Sequence, residues 1–271
     1  MDYIQTSQNT NHFKEMNFLD KAKILVVDDE AIIARDLQLR LESMGFEVPY
    51  IESTGEGAVK RALEIQPDLI LMDIVMIDSI DGIEAAKQIR LKIDIPIIYL
   101  TAYPSENIFE QTKITEPFGY LIKPTRNREL KSTIEIALYK HRIEKNLIKV
   151  RKEWETIFDA IEQPAIILDS DLNIIEVNKA TRTAFRMSKK ELLGRKCYEI
   201  FHKSNKPPES CPMTKVLQSK EVRTGTIELE AFDGQYRVSC TPIFDEEGRL
   251  EKVIHIATDI TERKKEVDIV Q

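Results

Sequence analysis

Two hydrophobic patterns divide the chain near its middle. In the first half, short apolar runs alternate with stretches whose apolar residues recur every three or four positions. Continuous apolar runs are typical of strands buried on both faces, and the longer period is typical of amphipathic helices. Repeated βα units of this kind predict a doubly wound, five-stranded parallel sheet in an α/β fold. The predicted strands are 23–27, 46–51, 69–72, 95–100 and 120–122, and the predicted helices are 30–44, 55–65, 83–91 and 105–114.

A stretch without glycine or proline, residues 126–163, predicts one long helix after this half. Two interpretations remain open. The helix is either the last helix of the first domain followed by a solvated linker, or a parallel coiled coil that joins two copies of the chain. The second interpretation predicts a homodimer through residues 126–163. It rests on an apolar stripe that steps mostly by three or four residues: Leu130, Ile134, Ala137, His141, Ile148, Trp154, Ile157 and Ile161.

The second half changes to a period of two. Strands are predicted at 164–168 and 173–177, followed by short helices between 179 and 220. Three longer strands then follow at 222–231, 236–244 and 251–258. This order predicts an α+β domain built on an antiparallel sheet.

Composition narrows the class of protein. A length of 271 residues suggests two domains, and a net charge of −7 argues against a nucleic-acid-binding output. No apolar run approaches the roughly 20 residues that cross a bilayer, so no membrane insertion is expected. Residues 1–20 are polar and lack the basic start of a secretory signal, which predicts a disordered tail and a cytoplasmic protein.

Candidate chemistry gathers where the predicted strands of the first half end. Asp28 and Asp29 follow the first strand, Asp73 the third, Thr101 the fourth and Lys123 the fifth. In a doubly wound sheet these carboxyl ends form the functional edge. Three converging carboxylates repel one another unless a divalent cation lies among them, and hard oxygen ligands suit Mg²⁺. The hydroxyl of Thr101 and the ammonium of Lys123 could hold phosphoryl oxygens. Asp73 is the candidate nucleophile for phosphoryl transfer, because it stands alone opposite the Asp28–Asp29 pair.

The motifs KILVVDDE, LILMDIVMIDSIDGIEAAKQIR, IPIIYLTAY and FGYLIKP resemble the receiver domain of two-component response regulators, over about residues 21–140. The resemblance implies a flavodoxin-like sheet of order 2-1-3-4-5 and a partner histidine kinase as phosphodonor. A cis Lys123–Pro124 peptide is also implied. The implied roles are Mg²⁺ binding by Asp28, Asp29, Asp73 and the backbone carbonyl of Val75, phosphorylation of Asp73, and switching or phosphoryl contact by Thr101, Tyr120 and Lys123.

Two residues differ from what rapid hydrolysis of a phosphorylated Asp73 would require. Val75 and Tyr103 stand two residues after Asp73 and Thr101, where the resemblance places side chains beside the path of an attacking water. Neither side chain is suited to orient that water, and both can obstruct it. The sequence therefore predicts slow self-dephosphorylation.

Residues 154–264 resemble a PAS domain, through WETIFDAIEQPAIILDSDLNIIEVNKAT and the terminal HIATDITERK. Residues 141–153 would then be a helical linker, and 265–271 the start of a further helix. Asn178 is interpreted as a turn or cap residue. Asp259 and Thr261 are expected to begin the exit helix, where a carboxylate and a hydroxyl satisfy free N–H groups.

The PAS-like half also holds all three cysteines. Cys197, Cys211 and Cys240, with His202, could form a metal, iron–sulfur or redox-responsive thiol site, since thiolate and imidazole suit zinc or iron. The alternative is that they are small buried hydrophobes, because their spacing matches no compact zinc pattern. Haem binding through His202 or His255 is a further hypothesis.

The sequence thus predicts a non-enzymatic phosphorelay response regulator. In this reading Asp73 takes a phosphoryl group from a histidine kinase with Mg²⁺, and a signalling helix couples it to a PAS sensor or interaction domain with a downstream protein partner. Two alternatives remain. The chain could be the N-terminal part of a hybrid sensor histidine kinase, or a PAS protein that senses haem, flavin or a metal.

Overall fold

The structure, a computed structural model, describes residues 22–76, 80–102, 112, 115–229 and 234–261. The chain divides into two compact units, Met1–Leu147 and Ile148–Gln271. The first unit contains the following elements and ends within a long helix: β1 (Ile24–Val27), α1 (Ala31–Ser43), β2 (Ile51–Glu52), α2 (Gly55–Ile65), β3 (Leu69–Asp73), α3 (Gly82–Arg90), β4 (Ile97–Thr101), β5 (Gly119–Ile122) and α4 (Asn127–Asp159).

The first unit is built on a parallel sheet of order β2-β1-β3-β4-β5. Alternate residues of each central strand enter different apolar layers. Ile24 and Val26 of β1 pack with α1 and α4, whereas Leu25 and Val27 pack with α2 and α3. Both faces are therefore covered, which explains the continuous apolar runs. The predicted doubly wound α/β fold is confirmed.

One predicted strand of this sheet is shorter than its pattern suggests. The run 46–51 predicts a strand, but β2 comprises only Ile51 and Glu52, with a single bridge between Glu47 and Lys23. Phe46 and Val48 are buried all the same. Pro49 has no N–H to donate and restricts its neighbour, so it interrupts the ladder. Most of the predicted helix 105–114, and the tail 1–20, lie outside the described residues.

The second unit carries an antiparallel sheet of order β7-β6-β10-β9-β8. Short helices from the middle of the unit contribute Leu192, Phe201 and Val216 to the core against it. The predicted α+β architecture is confirmed. The elements are β6 (Ala165–Asp169), β7 (Ile174–Val177), α5 (Lys179–Phe185), α6 (Lys189–Leu192), α7 (Cys197–Phe201), α8 (Pro212–Ser219), β8 (Arg223–Leu229), β9 (Gly234–Phe244) and β10 (Leu250–Asp259).

The predicted long helix is present as α4, which ends at Asp159. Its predicted stripe, however, is not one exposed seam. Leu130, Ile134 and Ala137 are buried in the core of the first unit, whereas Ile148 and Ile157 are exposed. Within the described residues, none of the helices combines the length and the apolar character needed to span a membrane.

Candidate functional site

Two buried carboxylates lie side by side at the carboxyl edge of the parallel sheet. Asp28 follows β1 and Asp73 ends β3, and they are 0% and 5% exposed. They are neighbours because β1 and β3 pair in register, with Val27 opposite Met72. Asp29 joins them, and one oxygen from each of the three carboxylates lies within 4.8 Å of the others. The convergence predicted from strand ends is therefore present.

Lys123 reaches this carboxylate group from the end of β5. Its Nζ lies 2.6 Å from Oδ2 of Asp28 and 2.6 Å from Oδ2 of Asp73. The backbone N–H of Lys123 donates to the carbonyl of Thr101 at 2.8 Å, which ties the ends of β4 and β5 together. Thr101 is buried, and the Lys123–Pro124 peptide is cis, as the resemblance implied.

Burial and charge act in opposite directions at this site. Burial raises the pKa of Asp73, and the Lys123 ammonium offsets part of that rise. Burial alone would lower the pKa of Lys123, but its contacts with Asp28 and Asp73 more than compensate, so that pKa is raised. The ammonium is therefore held charged between two carboxylates.

The start of α3 packs against Asp73, a contact that the hydrophobic pattern does not predict. A methyl group at Gly82 would lie 1.8 Å from the carbonyl oxygen of Asp73, so only glycine fits. Asp81 caps the helix by accepting from the N–H of Glu84 at 2.8 Å. The signal available in the sequence was the Asp-Gly pair at the beginning of the helix.

The donor set fits a hard divalent cation. One ammonium offsets only one of three converging carboxylate charges, so negative charge remains for a cation to neutralise. All three side chains offer oxygen ligands, which Mg²⁺ prefers. Within the described residues, no other group of three histidine, cysteine or acidic ligand atoms is gathered so closely.

The other candidate residues at this edge of the sheet differ in exposure and in contacts. Val75 is 68% exposed, and its backbone N–H donates to Oδ1 of Asp73 at 3.3 Å. Tyr120 is partly buried, its ring stacks on that of Tyr99 at 6.0 Å, and its hydroxyl hydrogen bonds with that of Thr112. Tyr103 lies outside the described residues.

The three cysteines of the second unit are free and buried. They share one apolar cluster with Phe201. Burial raises the pKa of Cys197 to about 12 and also raises the pKa of Cys211 and of Cys240. Because the thiolate is the reactive and metal-binding form, this environment favours protonated thiols that act as small hydrophobes.

Two histidines are buried in the same unit. His255 lies directly opposite Cys240 on the neighbouring strand, and its ring is 5.0 Å from that of Phe201. Its Nδ1 has no hydrogen-bond partner among the described residues. Burial, with a smaller contribution from His202, lowers the pKa of His255 to about 4, so the imidazole is neutral at pH 7.

Asn178 is the N-cap of α5, which confirms its interpretation as a cap residue, and its side chain makes further hydrogen bonds. Its Oδ1 accepts from the N–H groups of Thr181 and Ala165, at 2.9 and 3.1 Å. Its Nδ2 donates to the carbonyls of Ile161 and Gln163, each at 2.9 Å. One buried side chain thus joins the segment after α4 to β6 and α5.

At the other end of the unit, the N–H of Thr261 donates to the carboxylate of Asp259 at 2.8 Å, as expected for a helix start. Residues 262–271 lie outside the described residues.

Comparison with protein families assigns both halves of the chain. Residues 24–135 match the response regulator receiver domain, and residues 158–265 match the PAS fold.

Curated relatives match the first half. The transcriptional regulatory protein PdtaR of Mycobacterium tuberculosis is 35% identical over 145 residues, which cover 54% of this chain and 69% of the relative. The alkaline phosphatase synthesis transcriptional regulatory protein PhoP of Bacillus subtilis is 41% identical over 124 residues, which cover 45% of this chain and 50% of the relative. The match to PhoP thus spans half of that relative's length.

Solved structures match the same half. The signal receiver domain of a modulated diguanylate cyclase from Desulfovibrio desulfuricans is 35% identical, with a TM-score of 0.44, and covers 45% of this chain and 98% of that one. The N-terminal domain of a response regulator/sensory box/GGDEF protein from Carboxydothermus hydrogenoformans is 32% identical, with a TM-score of 0.43 and the same coverage.

Proposed function

Because the chain belongs to the response regulator family, with a receiver domain followed by a PAS domain, we propose that Asp73 accepts a phosphoryl group from the phosphohistidine of a partner histidine kinase. The observation that carries this proposal is the bridging position of Lys123, whose ammonium contacts both Asp28 and Asp73 at 2.6 Å. A buried carboxylate beside a fixed cation is suited to take up an anionic group.

The reaction needs positioning and charge neutralisation. An oxygen of the Asp73 carboxylate attacks phosphorus, the bond from phosphorus to the imidazole nitrogen of the donor breaks, and the imidazole leaves with the electron pair. The product is an acyl phosphate on Asp73. Lys123 neutralises charge on the phosphoryl oxygens, and the buried hydroxyl of Thr101 donates to one of them.

The acidic group Asp28, Asp29 and Asp73, together with the backbone carbonyl of Val75, would hold Mg²⁺. When bound, Mg²⁺ neutralises negative charge on the carboxylates and on the incoming phosphoryl group. The support for this part of the proposal is the oxygen-only donor set and the charge that Lys123 leaves uncompensated.

The receiver would communicate with the PAS domain through α4. The helix begins directly after the receiver sheet and ends at Asp159. Asn178 then hydrogen bonds with the carbonyls of Ile161 and Gln163, so the segment that follows α4 is held to the PAS core. In this proposal the PAS domain acts through contact with a downstream protein.

The test is chemical phosphorylation of the purified chain. Acetyl phosphate with Mg²⁺ is expected to add one phosphoryl group, detected by intact mass and located by peptide mass spectrometry at Asp73. The Asp73→Asn variant should remain unmodified, whereas Asp81→Asn, which alters a capping carboxylate outside the acidic group, should still be modified. Modification of the Asp73→Asn chain at an equal rate would overturn the assignment.

A further inference from the structure

Helix α4 carries an apolar face that the predicted stripe included only in part, through Trp154 and Ile157. Its members are 40–70% exposed, and we call them the second face: Ile136, Tyr139, Ile143, Leu147, Val150, Trp154 and Ile157. They follow one another at steps of three, four, four, three, four and three residues.

This spacing is that of a coiled-coil seam. The average step matches the repeat of about 3.5 residues with which helices wind around each other. Two consecutive steps of four, from Tyr139 to Ile143 and on to Leu147, break a strict heptad. An uninterrupted heptad would put the polar Asn146 in the seam. The second step of four, equivalent to a four-residue insertion in the heptad pattern, puts Leu147 there instead.

The helix cannot bury the second face by rotating toward its own receiver core. The other side of α4 is already used, because Leu130, Ile134, Ala137 and Leu138 lie in the apolar layer of the receiver. Seven large apolar side chains along one helix therefore stay in water unless something covers them, and such a patch on a soluble domain marks an interaction site.

The charges beside the second face suit an identical partner. Glu135 precedes Ile136, and Lys140 follows Tyr139, five residues further on. In a parallel coiled coil the residues at this spacing face each other across the seam, so Glu135 of one copy meets Lys140 of the other on both sides of a twofold axis. Within one chain these two residues form long, exposed ion pairs, Lys131–Glu135 at 3.7 Å and Lys140–Glu144 at 3.8 Å, and the Lys140 ammonium also lies 5.4 Å from the centre of the Phe118 ring. Exposed ion pairs of this kind contribute little and are exchanged at little cost.

We propose that the second face binds the second face of another copy of this chain, in a parallel, in-register, two-stranded coiled coil. The seam is the set of seven residues named above. The assembly goes beyond phosphorylation of Asp73 and does not depend on it.

Two neighbouring residues provide a matched test. Leu147 and Ile148 are each 65% exposed, but only Leu147 belongs to the second face. Sedimentation equilibrium should find the wild-type chain and Ile148→Glu dimeric at micromolar concentration. Leu147→Glu should raise the dimer dissociation constant at least about 100-fold, because it buries two carboxylates in the seam of each dimer. Equal effects of the two substitutions, or a monomeric wild-type chain, would overturn the proposal.

Cross-linking tests the orientation without depending on a destabilising variant. A short bis-maleimide should join two copies of Val150→Cys but not of Lys152→Cys, because only Val150 lies on the second face. The wild-type chain measures any background from Cys197, Cys211 and Cys240, which are buried. Failure of Val150→Cys to cross-link, as in an antiparallel pair whose equivalent residues lie far apart, would contradict a parallel dimer.

The Asp73→Asn chain separates this proposal from the function proposed above. It should dimerise as the wild-type chain does, even though it accepts no phosphoryl group. If Asp73 is not the phosphoacceptor, the dimer result stands; if the chain is monomeric, the phosphorylation result stands.

Discussion

At the scale of single residues, Val75 stands where the receiver edge meets solvent. Its side chain is 68% exposed, while its backbone N–H contacts Asp73. A branched apolar side chain there offers a water molecule no hydrogen bond, yet it can screen the phosphorus atom of an acyl phosphate. The prediction of slow self-dephosphorylation from Val75 and Tyr103 therefore has a physical basis at Val75.

We therefore expect the double substitution Val75→Asn with Tyr103→Glu to accelerate loss of phosphate at least about tenfold, as a positioned group that orients water commonly does. Phosphate release from the chain modified with acetyl phosphate, followed after removal of the donor, measures the rate. Val75→Ile serves as the control, since it keeps an apolar branched side chain. An unchanged rate in the double variant would mean that these positions do not govern hydrolysis.

A second residue-scale prediction concerns His255 and pH. Burial lowers the pKa of His255 from 6.5 to about 4, so below pH 6.5 the unfolded chain binds a proton that the folded chain does not. The contribution that the neutral His255 makes to the stability of the folded PAS domain is therefore lost progressively as pH falls from about 6.5 toward 4. Between pH 7.5 and 5 this histidine should cost about 2 kcal/mol in the free energy of unfolding.

Urea denaturation at the two pH values measures this cost. The His255→Phe variant keeps a ring beside Phe201 and should lose less stability than the wild-type chain over the same interval, whatever its stability at pH 7.5. Equal losses in the two chains would show that His255 is not the group that titrates.

At the scale of elements, Asn178 is the hydrogen-bond centre that joins the segment after α4 to the PAS domain. Asn178→Ala removes the cap of α5 and two donors to backbone carbonyls. We expect a loss of about 2–4 kcal/mol in the unfolding free energy of the PAS domain. Ser188→Ala, which removes an exposed cap of α6, should cost about 1 kcal/mol or less. Similar losses in both variants would argue against a special role for Asn178.

Sequence patterns predicted some of these elements and contacts correctly and missed others. Strand ends placed Asp28, Asp73, Thr101 and Lys123 at one edge, because the carboxyl ends of parallel strands must meet there. The Gly82 contact was missed, since it depends on how closely α3 approaches β3 rather than on periodicity. The length of strand β2 was overestimated. Phe46 and Val48 are buried, as strand residues would be, but the β-ladder does not extend across Pro49 to reach them.

Helix α4 carries two apolar faces that its sequence pattern does not distinguish. Apolar residues at steps of three and four occur on two of its faces, and periodicity alone cannot say which face its own domain covers. The sequence stripe joined Leu130 and Ile134, which the receiver buries, to Ile148, which belongs to neither face. Only the packing of α4 against the sheet separates the two sets.

At the scale of the whole molecule, each apolar core lies within one unit of the chain. The two layers of the receiver are formed by residues 22–138, and the PAS cluster by residues 166–257. The acidic group belongs to the receiver alone. A ligand that binds only the folded receiver stabilises that unit by mass action and leaves the other unit's own equilibrium unchanged.

We therefore expect two unfolding transitions, of which Mg²⁺ shifts one. At a Mg²⁺ concentration of about 100 times its dissociation constant, the receiver should gain about 2.7 kcal/mol. In the Leu147→Glu chain, whose dimer seam is disrupted, the fluorescence of the single tryptophan, Trp154, which lies in the second unit, should report a transition that Mg²⁺ does not move, while circular dichroism should also report one that it does. Asp28→Asn should reduce the Mg²⁺ shift. If Mg²⁺ moved both transitions equally, or if only one cooperative transition were seen, the two units would not fold independently, and α4 would have to couple their stabilities.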